Sequence, residues 1–186
     1  MRLPPYVIDQ AREQGALTAL QSGFRWIFYL DSDVLPPPDI IQRLMVHNKR
    51  IVSALYARRH QPMYPFLLRK TSENPIAFGL IPDYQAGSLV EVDVAPAGAL
   101  LVSTEVFRKV PRPWFFWSAD RVLDIGGQPI TFTTGTSEDY QFCIRAKQYG
   151  IRTWVDTAIK CRHKGEFNVV PGDKFDINLQ TEAPNP

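Results

Sequence analysis

The chain reads as an α/β protein, a mixed and mostly parallel sheet flanked by helices. Three observations predict this. The run Trp26-Ile27-Phe28-Tyr29-Leu30 is apolar without polar alternation, as expected of a central strand covered on both faces. A second such run, Ile51-Val52-Ser53-Ala54-Leu55-Tyr56, follows a stretch of helical character, which makes a βα unit and then a further strand. Asp31 and Asp33 end the first run, at the carboxyl tip of a strand, where parallel sheets bind their ligands. A length of 186 residues with 45% hydrophobic content fits one domain with a sizeable core. We divide it into a body over residues 1–165 and a C-terminal tail over residues 166–186.

The elements follow in order. Over residues 4–23, Val7, Ile8, Ala11, Ala16, Ala19 and Leu20 recur at helical spacing, interrupted by Gly15 and ended by Gly23; this helix covers the sheet. Pro36, Pro37 and Pro38 suit the first turn of a helix over residues 39–45. Residues 61–87 are rich in Pro, Asn and Gly and predict a loop or hairpin excursion. A strand over residues 89–94 sets Glu91 and Asp93 on one face and Val90, Val92 and Val94 on the other. Leu100-Leu101-Val102 resumes extended structure before a short helix capped by Ser103. Ser137 caps a helix running to Tyr149, with Phe142, Cys143 and Ala146 inward and Gly150 as its stop. Residues 152–156 form a further strand, and the tail reads as frayed, with residues 182–186 disordered.

Charge and cysteine content exclude several classes. Lys plus Arg number 21 against 19 for Asp plus Glu, so a formal charge of +2 gives no footprint for nucleic acid. No apolar stretch spans a bilayer and no secretory signal opens the chain, so a cytoplasmic location is expected. Cys143 and Cys161 lack metal-type spacing and read as buried free thiols.

The chemistry-bearing residues fall in a few stretches. Asp31 and Asp33 point the same way along an extended backbone and can share one divalent cation. A calcium loop would need another acid and a glycine soon after Asp33, and Val34-Leu35-Pro36 stands there instead. Arg58, Arg59 and His60 lie past the second strand and suit either a phosphate or an anionic acceptor, or form a solvated loop. Trp114-Phe115-Phe116-Trp117 divides between packing and a pocket wall, with Trp114 and Trp117 as the faces offered to an acceptor. Glu138 and Asp139 occupy a helix first turn, where they stabilise the dipole and where Asp139 could accept a proton. His163 follows the last strand and can donate an imidazole to a metal.

In this order the stretches FYLDSDVLPPPDIIQRL, VDVAPAGALLVSTEVF, TSEDYQFCIRAKQYGIRTWVD and CRHKG resemble the GT-A fold glycosyltransferases, in particular glycosyltransferase family 2. The resemblance runs from about Gln10 to Gly165. It implies a Rossmann-like sheet and transfer of a sugar from a nucleotide-diphosphate sugar to an acceptor hydroxyl of a glycan, lipid or protein, with inversion. Asp33, with Asp31 and His163, would hold Mn²⁺ or Mg²⁺. Asp31, Asp33, Gly98, Arg58 and Lys164 would lie along the donor, with Lys174 as a further phosphate contact from the tail. Asp139 would be the general base and Glu138 would orient the acceptor. A phosphatase of the haloacid dehalogenase type also uses a strand ending in Asp-x-Asp, but it wants Thr or Val where Leu35 stands. The strands that precede the first helix in that family have no counterpart here, which implies a truncated GT-A fold whose strand over residues 26–30 would become a sheet edge: either the sequence is a piece of a longer chain, or a second copy or a partner chain covers that edge, or the donor is held mainly through metal and diphosphate. The alternative to an enzyme is a catalytically impaired domain that binds sugar or serves assembly.

Overall fold

The computed structural model describes residues 7–59, 63–73, 76–117, 121–125, 128–132, 136–164, 168–171 and 177–180. Its first half contains α1 (Ile8–Gln21), β1 (Trp26–Leu30), β2 (Val34–Leu35), α2 (Ile40–Met45), β3 (Ile51–Leu55), β4 (Leu68–Glu73) and β5 (Ile76–Leu80). The second contains β6 (Leu89–Val92), β7 (Ala99–Ser103), α3 (Thr104–Lys109), β8 (Arg121–Ile125), β9 (Gln128–Phe132), α4 (Glu138–Gln148), β10 (Thr153–Lys160), β11 (Arg162–His163), β12 (Asn168–Pro171) and β13 (Ile177–Gln180).

β3 and β7 are buried along their whole lengths. Ile51, Leu55, Leu100 and Val102 enter one apolar cluster, whereas Val52, Ala54, Ala99 and Leu101 enter another. That two-residue alternation is what a strand with a core on each face requires. The first cluster takes Ala16 from α1, Val106 and Phe107 from α3, and Phe142, Cys143 and Ala146 from α4. Phe142 stacks between Phe115, with ring centroids 4.7 Å apart, and Phe107 at 5.6 Å. The second cluster is closed by Ile40 and Leu44 of α2. Both cysteines are buried free thiols, as expected.

The main sheet has the order β1-β7-β3-β10-β6. The α/β class holds, but the sheet is not mostly parallel: β3 and β10 pair in parallel, and β7 and β6 run against their neighbours. Apolar runs buried on both faces carry no mark of direction, so the pattern that found these strands could not orient them. The crossover from β1 does not end beside it either, because β7 lies between β1 and β3. β1, β3 and β10 nevertheless point the same way, so their carboxyl ends share one edge.

Among the described residues β1 is an outer strand of this sheet, the edge expected from the lack of preceding strands and not the central place its apolar run alone suggests. Tyr29 is buried, Trp26, Ile27 and Phe28 are half-buried, and Leu30 is exposed. The helix before it keeps part of its expected face, with Ala16 and Ala19 buried and Leu20 packed on the core, but Val7 and Ile8 are exposed and Arg12 and Gly15 join the inward stripe. The excursion over residues 61–87 contains the hairpin β4–β5.

A second sheet of order β13-β12-β11-β2 holds the tail. The tail is therefore not a frayed end over residues 168–171 and 177–180: Val169 pairs with His163, and β12 pairs with β13. The expectations for His60, Lys174 and residues 182–186 lie outside the described residues.

Candidate functional site

The carboxyl ends of β1 and β3, the amino end of β7 and the segment after β10 meet at one edge. Asp31 leaves β1 with its N–H donated to the carbonyl of Gly98, 3.1 Å away, and Gly98 immediately precedes β7. The Gly98 N–H in turn donates to the phenolic oxygen of Tyr56 at 2.8 Å. A methyl group at position 98 would sit 2.9 Å from Tyr56 Cζ and 3.1 Å from Val34 Cγ2, which is why glycine stands there. Gly98 thus serves as a close-packing point beside the Asp-x-Asp turn.

Two clusters of charge occupy this edge. The first forms around Arg12, a residue that sequence reasoning passed over. Arg12 is 5% exposed. Its Nη2 donates to Asp31 Oδ1 at 3.0 Å and to Oδ2 at 3.2 Å, its Nη1 donates to Glu138 Oε1, and Asp139 Oδ2 lies 3.5 Å from Nη1. α1, the end of β1 and the first turn of α4 are pinned together by this one side chain. Burial works against the Arg12 charge, yet Asp139, Asp31 and Glu138 together hold its pKa above the ordinary value. A sequence signal did exist: Arg12 shares the spacing of Gly15, Ala16 and Ala19, and an arginine on a stripe of small buried residues needs an acidic partner.

Glu138 and Asp139 differ within their shared helical turn. Burial, reinforced by the neighbouring Asp139, pushes Glu138 up to about 7 against the pull of Arg12. Asp139 is fully engaged as an acceptor. Its Oδ1 takes the Tyr140 N–H at 2.9 Å and the Ser137 hydroxyl, and its Oδ2 takes the Ala97 N–H at 3.0 Å. Ser137 stands at the N-cap position as expected, but its side chain bonds Asp139 rather than a helix N–H. Both carboxylates are buried, at 3% and 6% exposure.

The second cluster joins Asp33, His163 and Arg59. His163 Nδ1 lies 2.7 Å from the carbonyl oxygen of Ala57, which can only accept, so Nδ1 carries the proton and donates it. Nε2 then turns to Asp33 Oδ2, 3.6 Å away. The Arg59 guanidinium is bonded to that same oxygen. The Lys164 N–H donates to the Asp33 carbonyl at 2.6 Å, and β11 pairs with β2, so the backbone sets His163 beside the Asp-x-Asp turn. Tyr56 packs its ring edge-on against His163, with centroids 5.4 Å apart.

Some expected members stand elsewhere. Asp31 and Asp33 do not converge, since Asp31 is held by Arg12 and Asp33 by Arg59. Among the described residues no group of three His, Cys, Asp or Glu side chains has metal-binding spacing. Arg58 rests its guanidinium over the Tyr64 ring at 5.7 Å, leaving Arg59 as the arginine that reaches the turn. Trp114 is 3% exposed, packs edge-on against Phe107 and donates its indole N–H to the Val110 carbonyl at 2.7 Å, so it belongs to the core. Trp117 is 50% exposed and remains open to a ligand. No helix among the described residues is long and apolar enough to cross a membrane.

No family model matches the chain, and no curated protein matches it. The crystal structure of A197 from STIV is similar, with a TM-score of 0.56 and 16% identity, covering 97% of this chain and 79% of that one. At that identity the likeness concerns the fold alone.

Proposed function

We propose that the chain is a glycosyltransferase that moves a sugar from a nucleotide-diphosphate donor to an acceptor hydroxyl with inversion. The observation that carries the reading is the gathering of Asp31, Asp33, Glu138, Asp139 and His163 at one sheet edge, in the chain order that the family resemblance calls for. Asp33 and His163 fit a divalent cation as two ligands: a carboxylate faces an imidazole nitrogen whose partner nitrogen is already committed to a carbonyl. Mn²⁺ and Mg²⁺ commonly take few protein ligands and complete their shells with substrate phosphates. When bound, the ion would neutralise charge on the departing diphosphate.

The residues of the chain supply the rest. The resemblance casts Asp139 as the base and Glu138 as the group that orients the acceptor; in this proposal the roles are exchanged, because burial raises Glu138 to about 7, while Asp139, already accepting from three donors, fixes the helix start against Ala97. The acceptor oxygen then bonds to the anomeric carbon, whose bond to the diphosphate breaks with the electron pair leaving on phosphate oxygen. Both carboxylates lie under Arg12, so access for the acceptor requires Arg12 to yield its bond to Glu138.

A second reading, a sugar-binding or assembly module, is favoured by one fact: the Asp-x-Asp carboxylates are each neutralised by an arginine of the same chain. Calorimetric titration of UDP and GDP separates the two readings, run with Mn²⁺ and again with chelator. The enzyme reading expects binding that needs the metal and disappears in Asp33→Ala, with transfer or donor hydrolysis on adding a nucleotide sugar. Absence of metal-dependent binding to the folded chain would leave the module.

A further inference from the structure

The opposite edge of the main sheet carries a groove that the proposed reaction does not use. A cavity of about 610 Å³ opens where β1 and β3 begin and β7 ends, lined by Arg25, Trp26, Arg50 and Arg108, with Glu105 on its rim. Backbone bonds fix its floor. The Ser103 N–H donates to the Arg50 carbonyl at 2.8 Å, and the Thr104 N–H donates to the Arg25 carbonyl at 3.0 Å. β7 lies between the other two strands, so the backbones of Arg25 and Arg50 stand two strand spacings apart, about 10 Å. Long side chains from both flanks can converge on one anion between them.

The charge balance points to such an anion. Three arginines meet one glutamate, and that glutamate pairs with Arg50 at 3.5 Å through side chains that are 53% and 67% exposed, a contact that contributes little. Arg108 leans on the Thr104 hydroxyl at 3.4 Å, and among the described residues neither it nor Arg25 has a carboxylate partner. Guanidiniums gathered without matching acids repel one another, and an anion accepting paired N–H bonds relieves that repulsion. The volume lies within the range of small-molecule sites, and the half-buried Trp26 ring supplies an apolar wall.

We propose that this groove is a separate site for a small phosphate-bearing ligand, held by Arg25, Arg50 and Arg108 against Trp26. The test uses the whole chain at low salt without divalent cation, titrated with inorganic pyrophosphate and followed by calorimetry and by the Trp26 indole N–H resonance. The expected result is saturable binding that shifts this resonance, weakens about tenfold or more in the double variant Arg25→Ala/Arg50→Ala, and persists in Arg59→Ala. Both arginines are exposed, so the double variant is expected to melt as the parent does. No saturable binding, or binding lost in Arg59→Ala and kept in the double variant, would overturn the proposal. Capture by phosphatidic acid vesicles through the same arginines, without response to free pyrophosphate, would assign the groove to a membrane surface and overturn it equally.

Discussion

A guanidinium at 5% exposure persists only because acids surround it, and around Arg12 there are three. They outnumber it, and the excess falls on Glu138. Glu138 is protonated in the folded protein and ionised in the unfolded chain between about 4.5 and 7, so folding takes up a proton in that interval. Its contribution therefore favours the fold in acid and is lost as pH rises toward 7. Glu138→Gln keeps an oxygen for Arg12 and removes the titration. Measured by urea unfolding at pH 5 and pH 7, the variant should gain on the parent by about 1.4 kcal/mol per pH unit. Parallel stability curves for the two proteins would show that the burial of Glu138 does not set its proton affinity. Both carboxylates of this turn were legible in the sequence, as a pair that opens a helix. Their partner was marked only by its spacing with Gly15, Ala16 and Ala19, a weak signal, because an arginine in a helix reads as solvent-facing until the opposite side of the helix is known to be exposed.

At the scale of elements, Gly98 shows how one position joins several of them. It accepts from Asp31 at the end of β1, donates to Tyr56 beyond β3 and faces Val34 in β2. Gly98→Ala forces Tyr56 or Val34 to move, and overpacking of this kind costs about 1–3 kcal/mol. The same change should displace His163, which packs against Tyr56, and thereby broaden or shift its imidazole resonances; melting temperature and NMR read the two effects. Most elements were legible because each carried its own punctuation: Gly23 and Gly150 with positive φ after α1 and α4, and Ser103, whose hydroxyl accepts the Glu105 N–H, before α3. The pairing of β2, β11 and β12 was not legible. Two-residue strands have no periodicity to detect, and the return of the chain after β10 to the turn is carried by long-range contacts, the pairing of β11 with β2 and the bond from Lys164 to Asp33.

For the whole molecule, the order β1-β7-β3-β10-β6 predicts a gradient of protection. Amides of β3, hydrogen-bonded on both sides and buried on both faces, should exchange with deuterium far more slowly than the outward amides of β1, whose described partner lies on one side only. Equal protection of the two strands would mean that the outer side of β1 is covered as well. The α/β class was readable from apolar runs alternating with helical stretches, whereas strand direction depends on which loop crosses which face, and no single stretch encodes that. The two charge clusters carry a consequence for timing. Arg12 and Glu138 stand 126 positions apart, and His163 must travel a comparable length of chain to meet Asp33. Contacts of that span demand the closing of long loops and form late. During synthesis from the amino terminus, the Arg12–Asp31 and Asp33–Arg59 partners therefore emerge well before Glu138, Asp139 and His163, and a nascent or interrupted chain presents an unshared Arg12 and an Asp33 without its imidazole where the finished protein presents a completed edge.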